Sequence, residues 1–320
     1  MAPTASNRVV PHELASLRGS CILITGAGGM LGGAVTEALA RLVPGCRAVA
    51  LDRRALDVRD GEAVLRCRGY APDFIVHCAG DALADRCEQD PDGSRAVHID
   101  GTAHVIELAR ACSAQVIYPQ SVFIFDGREL PVTETTKPAP MSVYGCLKLA
   151  AEQRLLAARP DSLVIRMAGF FGGGAVDKNF VGSFTRWLFD AVGRGERGNV
   201  VGTRIWQPTY TRDLAANVLL LAALGRQGVY HMGAHGEASF YDVACACVDD
   251  LGLRDRMRIE KRPAPEPALE IAPRPTRMVT ANRRLADEGL DRQRDWRSAL
   301  REYLETLFFR ERARAALQGR

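Results

Sequence analysis

The sequence predicts an α/β protein, a doubly wound parallel sheet with a smaller region interleaved on its C-terminal side. Three observations predict it. Short apolar runs recur through the first half of the 320 residues, helical patterns separate them, and the connections are brief. The runs are continuous rather than alternating, as strands covered on both faces by crossover helices must be.

Cys-Ile-Leu-Ile-Thr at 21–25 is the first such run. A glycine-rich turn follows, then a helix with Leu31, Val35, Leu39 and Leu42 at helical spacing. Further strands are expected at 47–51, 73–77, 114–118 and 162–166, with helices over 94–112 and 141–158. Residues 1–166 form the first expected domain. Beyond it Gly172, Gly173 and Gly174 break the chain, and the pattern loosens. Helices are expected at 179–192, 211–224 and 239–251, and strands at 199–201 and 228–231. Residues 167–320 thus read as a second region, with segments near 199–224 returning to the first sheet. Five prolines within 263–275 exclude regular helix there. A last helix carries Trp296, Leu300, Leu304, Leu307 and Phe308 as a core-facing stripe. The basic tail 310–320 reads as a solvated helix end, its charge favourable at a helix C-terminus.

Composition narrows the function. At 47% hydrophobic and 25% charged the chain is ordinary for a globular protein, and large enough to bury a core without disulfides. Its balance of 42 basic against 38 acidic residues, net +4, is no nucleic-acid footprint. The longest apolar run, 218–224, falls far short of the roughly 20 residues of a membrane span. Residues 1–7 lack the basic start and apolar stretch of a secretory signal, so a cytoplasmic protein is expected. Nine cysteines without a CxxC pair read as reduced thiols, not a disulfide framework or a zinc site. No metal is expected: His231, His235 and Glu237 lack ligand spacing.

The turn Gly26-Ala-Gly-Gly-Met-Leu-Gly32 lies between the first strand and its helix. Gly26, Gly28 and Gly29 let a backbone come close to a diphosphate, Gly32 lets the helix pack on the strand, and the helix N-terminus offers its N–H groups at Met30 and Leu31. Asp52 ends the next strand, twenty residues past Gly32, where a carboxylate meets the adenosine ribose. This is a Rossmann-type dinucleotide site. Asp52 favours NAD, whereas Arg53 and Arg54 favour the 2′-phosphate of NADP; two arginines tip the expectation towards NADPH. Asp57 and Val58 fall where an adenine edge would be capped.

Tyr144 and Lys148 stand one turn apart on the 141–158 helix. A phenol with pKa near 10 moves protons poorly at neutral pH, and a fixed cation close by would lower that value. Ser121, just past the 114–118 strand, can add a hydrogen bond to a carbonyl oxygen. Together the three would hold, polarise and protonate a ketone as hydride arrives.

The glycine turn, Ser121 and the Tyr144/Lys148 pair resemble the extended short-chain dehydrogenase/reductase superfamily. Within it the chain is most similar to the dTDP-4-dehydrorhamnose reductase family over nearly its whole length. The segments that carry this are Ile22 to Gly32, Ala84-Asp-Arg-Cys-Glu88, Ser121-Val-Phe-Ile-Phe-Asp-Gly127 and Pro140-Met-Ser-Val-Tyr-Gly-Cys-Leu-Lys148. Asn179, Gln207-Pro-Thr209 and Arg274-Pro275 fall where that family has substrate-region motifs. The resemblance implies reduction of the 4-keto group of a nucleotide-linked deoxysugar. It implies cofactor contacts from Met30, Leu31, Cys78, Ala79, Gly80, Tyr144, Lys148 and Arg166. Substrate contacts would come from Asp81, Ser121, Val122, Phe123, Tyr144, Gly169, Asn179, Arg204, Trp206 and Gln207. A homodimer is compatible with it. An epimerase of the same superfamily and a non-catalytic dinucleotide-binding regulatory subunit are the alternatives.

The chain departs from the family at telling places. Val122 stands where the family has aspartate, Gly169 where it has a tryptophan, and Trp206 at a usual glycine position. One ring lost and another gained implies a reshaped sugar pocket. His77 and His98 read as structural histidines, Phe184 and Trp187 as packing residues, and Arg186 and Arg204 as candidate diphosphate partners.

Overall fold

Backbone pairing turns the apolar runs into strands in the order they occur. The computed structural model describes residues 8–262 and 271–318. Expectations resting on residues 1–7, on 263–270 of the proline-rich stretch and on the last two residues lie outside the described residues. β1 (Cys21–Thr25) leads through the glycine turn to α1 (Met30–Leu42), followed by β2 (Arg47–Leu51), α2 (Gly61–Arg66) and β3 (Phe74–His77). α3 (Ala84–Gln89), α4 (Pro91–Arg95), a π turn over Ala96–Asp100 and α5 (Gly101–Cys112) precede β4 (Gln115–Ser121). α6 (Val143–Ala158) then leads to β5 (Leu163–Met167). Next come β6 (Phe170–Phe171), α7 (Phe180–Gly193), β7 (Gly198–Val201), β8 (Ile205–Trp206) and β9 (Thr209–Tyr210). α8 (Thr211–Ala223), β10 (Gly228–Met232), β11 (Ala238–Ser239), α9 (Phe240–Asp250) and β12 (Arg258–Lys261) follow. α10 (Arg283–Asp287), α11 (Trp296–Leu304) and α12 (Leu307–Leu317) close the chain.

Six parallel strands form the main sheet in the order β10-β5-β4-β3-β1-β2. Successive side chains of a strand face opposite ways. Ile22 and Ile24 join the core under α1 and α8, while Leu23 joins the one beneath α5 and α6. Helices on both faces explain why these strands carry no polar alternation. Each buried Leu or Ile contributes ~1.5–3 kcal/mol. β2 is the edge strand and is correspondingly more exposed.

β1 is flanked by β2 on one side and β3 on the other, so the winding reverses there, and a crevice opens beyond the carboxyl ends. Register sets those ends in line. Thr25 pairs with both Leu51 and His77, and Ser121 pairs with Met167.

A second core joins α7, α9, α11 and α12 to β7 and β12. Of the 199–224 segments expected to return to the sheet, α8 packs against α1, whereas β7 pairs with β12; the strand that does join the sheet there is β10, beyond that stretch, paired with β5. Two expected helices differ from the structure. That over 94–112 is interrupted by the π turn, a change of hydrogen-bond register that side-chain spacing does not record. The last helix ends at Leu304, and Thr306, in extended conformation, starts a new one. Leu307 is consequently turned to solvent at 70% exposure and leaves the expected stripe. No helix among the described residues is long and apolar enough to cross a membrane.

Candidate active site

The glycine turn is built as tightly as its sequence implies. Gly26 has φ +67°, and a Cβ there would lie 2.7 Å from Ala79 N. A Cβ on Gly32 would lie 2.5 Å from Gly26 O, so α1 rests directly on the turn. Gly29 is the N-cap of α1 and caps with no side chain, which leaves the first-turn N–H groups to an anion. Asp52 borders the turn at 3.3 Å from the place of a Gly28 Cβ. Its Oδ1 accepts from Arg54 N and Ala55 N, both at 2.9 Å, which presents the exposed Arg53 and Arg54 beside it. These residues fit the diphosphate and ribose of a dinucleotide. A cavity of about 260 Å³ adjoins Gly29 and Met30, lined by α1, Gly173, Val176 and Tyr210 to Arg212.

Asp57 spends its carboxylate on Arg59, whose hydrogen bond holds its pKa down to about 2. Val58 turns its side chain inward, onto the place of a Gly101 Cβ, so its main chain is what it can offer an adenine. Cys78 and Ala79 follow β3 with intermediate exposure, and burial pushes the Cys78 thiol up to about 12. Gly80 lies against His98, and the His98 ring meets Tyr144 edge-on at 5.7 Å. That contact links the cradle to the helix of the candidate acid.

α6 is aimed by its own start. Ser142 caps it, its Oγ accepting from Gly145 N at 3.2 Å, and Glu88 accepts from Val143 N at 2.8 Å. Gly145 permits the close approach: a Cβ there would sit 2.3 Å from Phe123 O. Tyr144 is thereby laid beside the Phe123 ring at 6.4 Å, with the Ser121 hydroxyl near enough to its phenol to favour the phenolate. Ser121 Oγ also accepts from Phe123 N at 3.1 Å. Ser121 and Tyr144 are together.

Lys148 corrects one expectation. Its Nζ donates to Pro119 O at 2.8 Å and lies 3.9 Å above the Tyr118 ring, so the ammonium turns towards β4. Burial pushes the Tyr144 phenol up to about 12, the Ser121 hydrogen bond opposing, and no lowering comes from Lys148. Burial likewise lowers Lys148 to about 7, against the pull of Glu152. At neutral pH Tyr144 is a protonated donor.

Four further assignments change with burial. Arg166 forms a buried ion pair with Glu152, Nη2 to Oε1 at 2.5 Å, and presents no free guanidinium to a cofactor. Val122 packs with Ile124, Phe125, Val132 and Met278. Gln207 clamps Thr280 and Ala234, its Oε1 accepting from Thr280 N at 2.7 Å and its Nε2 donating to both carbonyls. Asp81 is ion-paired with Arg86 and accepts from Leu83 N, while its carbonyl meets His98 Nε2 at 3.0 Å. Asn179, N-cap of α7, donates to Phe170 O at 2.8 Å, and Arg186 donates to Asp177 O at 2.6 Å. His77 bridges Thr25 and Thr102 in the core. Glu237 pairs with Arg277 and His235 with Asp291, apart from the buried His231.

The ring exchange has a geometry. A Cβ on Gly169 would lie 2.6 Å from Trp206 Cε3, so the indole occupies the space over that glycine. Phe180 and Phe240 stack at 4.5 Å beside it, and the Arg204 guanidinium lies 6.0 Å from the Phe240 ring. Gly169 follows β5 by two residues, next to the register partner of Ser121. Sequence reasoning missed Gln120 and Glu152, although Tyr144, Lys148 and Glu152 share one helical face at spacings of four.

Residues 20–309 match the model of the family described as the RmlD substrate binding domain. A dTDP-4-dehydrorhamnose reductase of Mycolicibacterium smegmatis is 33% identical over 288 residues, covering 88% of this chain and 84% of that protein. One from Mycobacterium tuberculosis is 35% identical, covering 88% and 92% respectively. Among solved structures, a dTDP-4-dehydrorhamnose reductase of Clostridium acetobutylicum superposes with a TM-score of 0.80 at 27% identity, covering 89% of this chain and 98% of that one.

Proposed function

This chain belongs to the RmlD substrate-binding-domain family, and from that premise we propose that it reduces the 4-keto group of a dTDP-linked 6-deoxysugar with NADPH. The observation that carries the reading is the placing of Tyr144 by α6 against the 122–124 turn that follows Ser121, with the His98 ring edge-on to it and against Gly80 beside the glycine cradle. The relatives of about one-third identity bear the name of that reductase.

A bound dihydronicotinamide supplies the hydride. Ser121 Oγ donates a hydrogen bond to the substrate's carbonyl oxygen and fixes the ketone. As hydride adds to the carbonyl carbon, the π pair moves onto oxygen, and the Tyr144 phenol gives its proton to that oxygen. Lys148, its Nζ turned to Pro119 O, holds α6 on β4 and takes no part in that transfer, and water reprotonates the phenolate left behind. The glycine turn and the N-terminus of α1 hold the diphosphate of the dinucleotide, and Arg53 and Arg54 take the 2′-phosphate. The Trp206, Phe180 and Phe240 rings offer the sugar an apolar wall. The same reading sets the reaction in the cytoplasm, where the nine free thiols stay reduced.

The test is a panel of 4-keto nucleotide sugars with NADPH or NADH, followed by loss of reduced-cofactor absorbance. One equivalent of NADPH consumed per dTDP-4-keto-6-deoxysugar is expected. Epimerised product without net consumption of cofactor contradicts a reductase, since an epimerase returns its hydride.

A further inference from the structure

Gln120, the residue before Ser121, is buried at 1% exposure, and its amide is fully engaged. Nε2 donates to Lys148 O at 2.9 Å and to Glu152 Oε2 at 2.8 Å, while Oε1 accepts from Ser121 N at 2.8 Å. Glu152 in turn binds Arg166 through Nη2 at 2.5 Å and Nε at 3.3 Å. Arg166 is the register partner of Gln120 on β5, so five side-chain and main-chain groups meet across β4, β5 and α6.

We propose that Gln120 is a positioning residue for the reaction: its amide ties the main chain of Ser121 to that of Lys148 and anchors both on the buried Glu152–Arg166 pair. The proposal rests on the reductase reading for its kinetic consequences. β4 ends at Ser121, and the side chain of Gln120 takes up the N–H of that last residue. An unpaired buried donor at that point would be costly. With its N–H held by Gln120 and its Oγ held by Phe123 N, Ser121 is restrained on both sides of its Cα. Only a planar group with two donors and an acceptor serves all three partners at once. The charged groups around this amide are Glu152, Arg166 and Lys148, with His77, Cys78 and His98 beyond Lys148.

The test compares Gln120→Met with Gln120→Glu, each checked for folding by thermal midpoint and for NADPH binding by titration. Methionine keeps the volume and withdraws the amide from all three partners, leaving Ser121 N without its acceptor; kcat is expected to fall ~10–100-fold with KM within about twofold, as for a misplaced reacting group. Glutamate keeps an acceptor for Ser121 N but faces Glu152, so the two carboxyls share a proton at low pH and repel at higher pH. Its kcat is expected to approach wild type near pH ~5 and to fall towards that of the methionine variant as pH rises, a limb absent from the wild-type profile. Unchanged kcat in both variants, or a fall that leaves the wild-type pH profile intact, overturns the proposal. Amide exchange at Ser121 decides independently of turnover. Slow exchange in the wild type with fast exchange in Gln120→Met supports the tie, and equal exchange overturns it. If the wild type reduces no 4-keto sugar, the reductase reading fails while the exchange result still decides this one. Should neither variant fold, loop-like exchange at Ser121 in the wild type overturns it, and exchange as slow as that of the β4 interior supports it.

Discussion

Asp52 serves its own loop before it serves a ligand. Its Oδ1 holds Arg54 N and Ala55 N, so removing the carboxylate loosens the arginines as well as the proposed ribose contact. Asp52→Ala is expected to weaken NADH more than NADPH, raising the preference ratio roughly five- to tenfold, about 1–1.4 kcal/mol. Fluorescence titration of both cofactors reads it; equal weakening would mean the carboxylate does not meet the ribose. At this scale Ser121, Tyr144 and the glycines were legible because spacing and position alone specify them. Arg166, Val122 and Gln207 were not, because their roles depend on partners distant in sequence: Glu152 for the first, a local apolar cluster for the second, Thr280 for the third. Gly169 and Trp206 stand out separately as departures, but their contact exists only in the fold.

α6 is the element on which the site turns. Its cap, Ser142, and its close approach to Phe123 O at Gly145 decide where Tyr144 stands. Gly145→Ala would place a carbon 2.3 Å from that oxygen, so the helix must retreat from the 122–124 turn. The variant is expected to lose ~1–3 kcal/mol of stability, read by urea midpoint, together with most of its kcat. NADPH affinity should hold, because the cradle lies on α1. Full activity in Gly145→Ala would show that the approach does not place the phenol. The strands of the main sheet were readable from continuous apolar runs, since helices cover both faces. The π turn at Ala96–Asp100 and the break before Thr306 were not, for both are changes in main-chain hydrogen bonding within sequences that keep helical spacing.

Across the whole molecule, burial of basic rings sets an acid limit. His77, His98 and His231 are pushed by burial to about 3, 4 and 3, from an ordinary value near 6.5. The unfolded chain therefore binds protons below pH 6.5 that the fold refuses. Stability from these groups is complete above that pH and is lost as pH falls towards their folded values. Asp177, raised by burial to about 6, acts in the opposite sense and partly offsets them. His231 is the cleanest case, at 0% exposure with both ring nitrogens lacking a well-formed hydrogen bond and only a weak interaction with the Val132 main chain. His231→Phe is expected to flatten the decline between pH 6 and 4 by ~1.4 kcal/mol per pH unit, one proton's share, in urea melts at several pH values. An unchanged slope would mean that His231 does not stay neutral in the fold.

The central claim is that a Tyr144 phenol, set beside Ser121, protonates the oxygen of a ketone reduced next to it. Single-turnover oxidation of NADPH by Tyr144→Phe, mixed with a dTDP-4-keto-6-deoxysugar, tests it most directly. The account expects the rate to fall by ~10²–10⁴ with the NADPH dissociation constant within about twofold of wild type. A variant that turns over at most of the wild-type rate contradicts it.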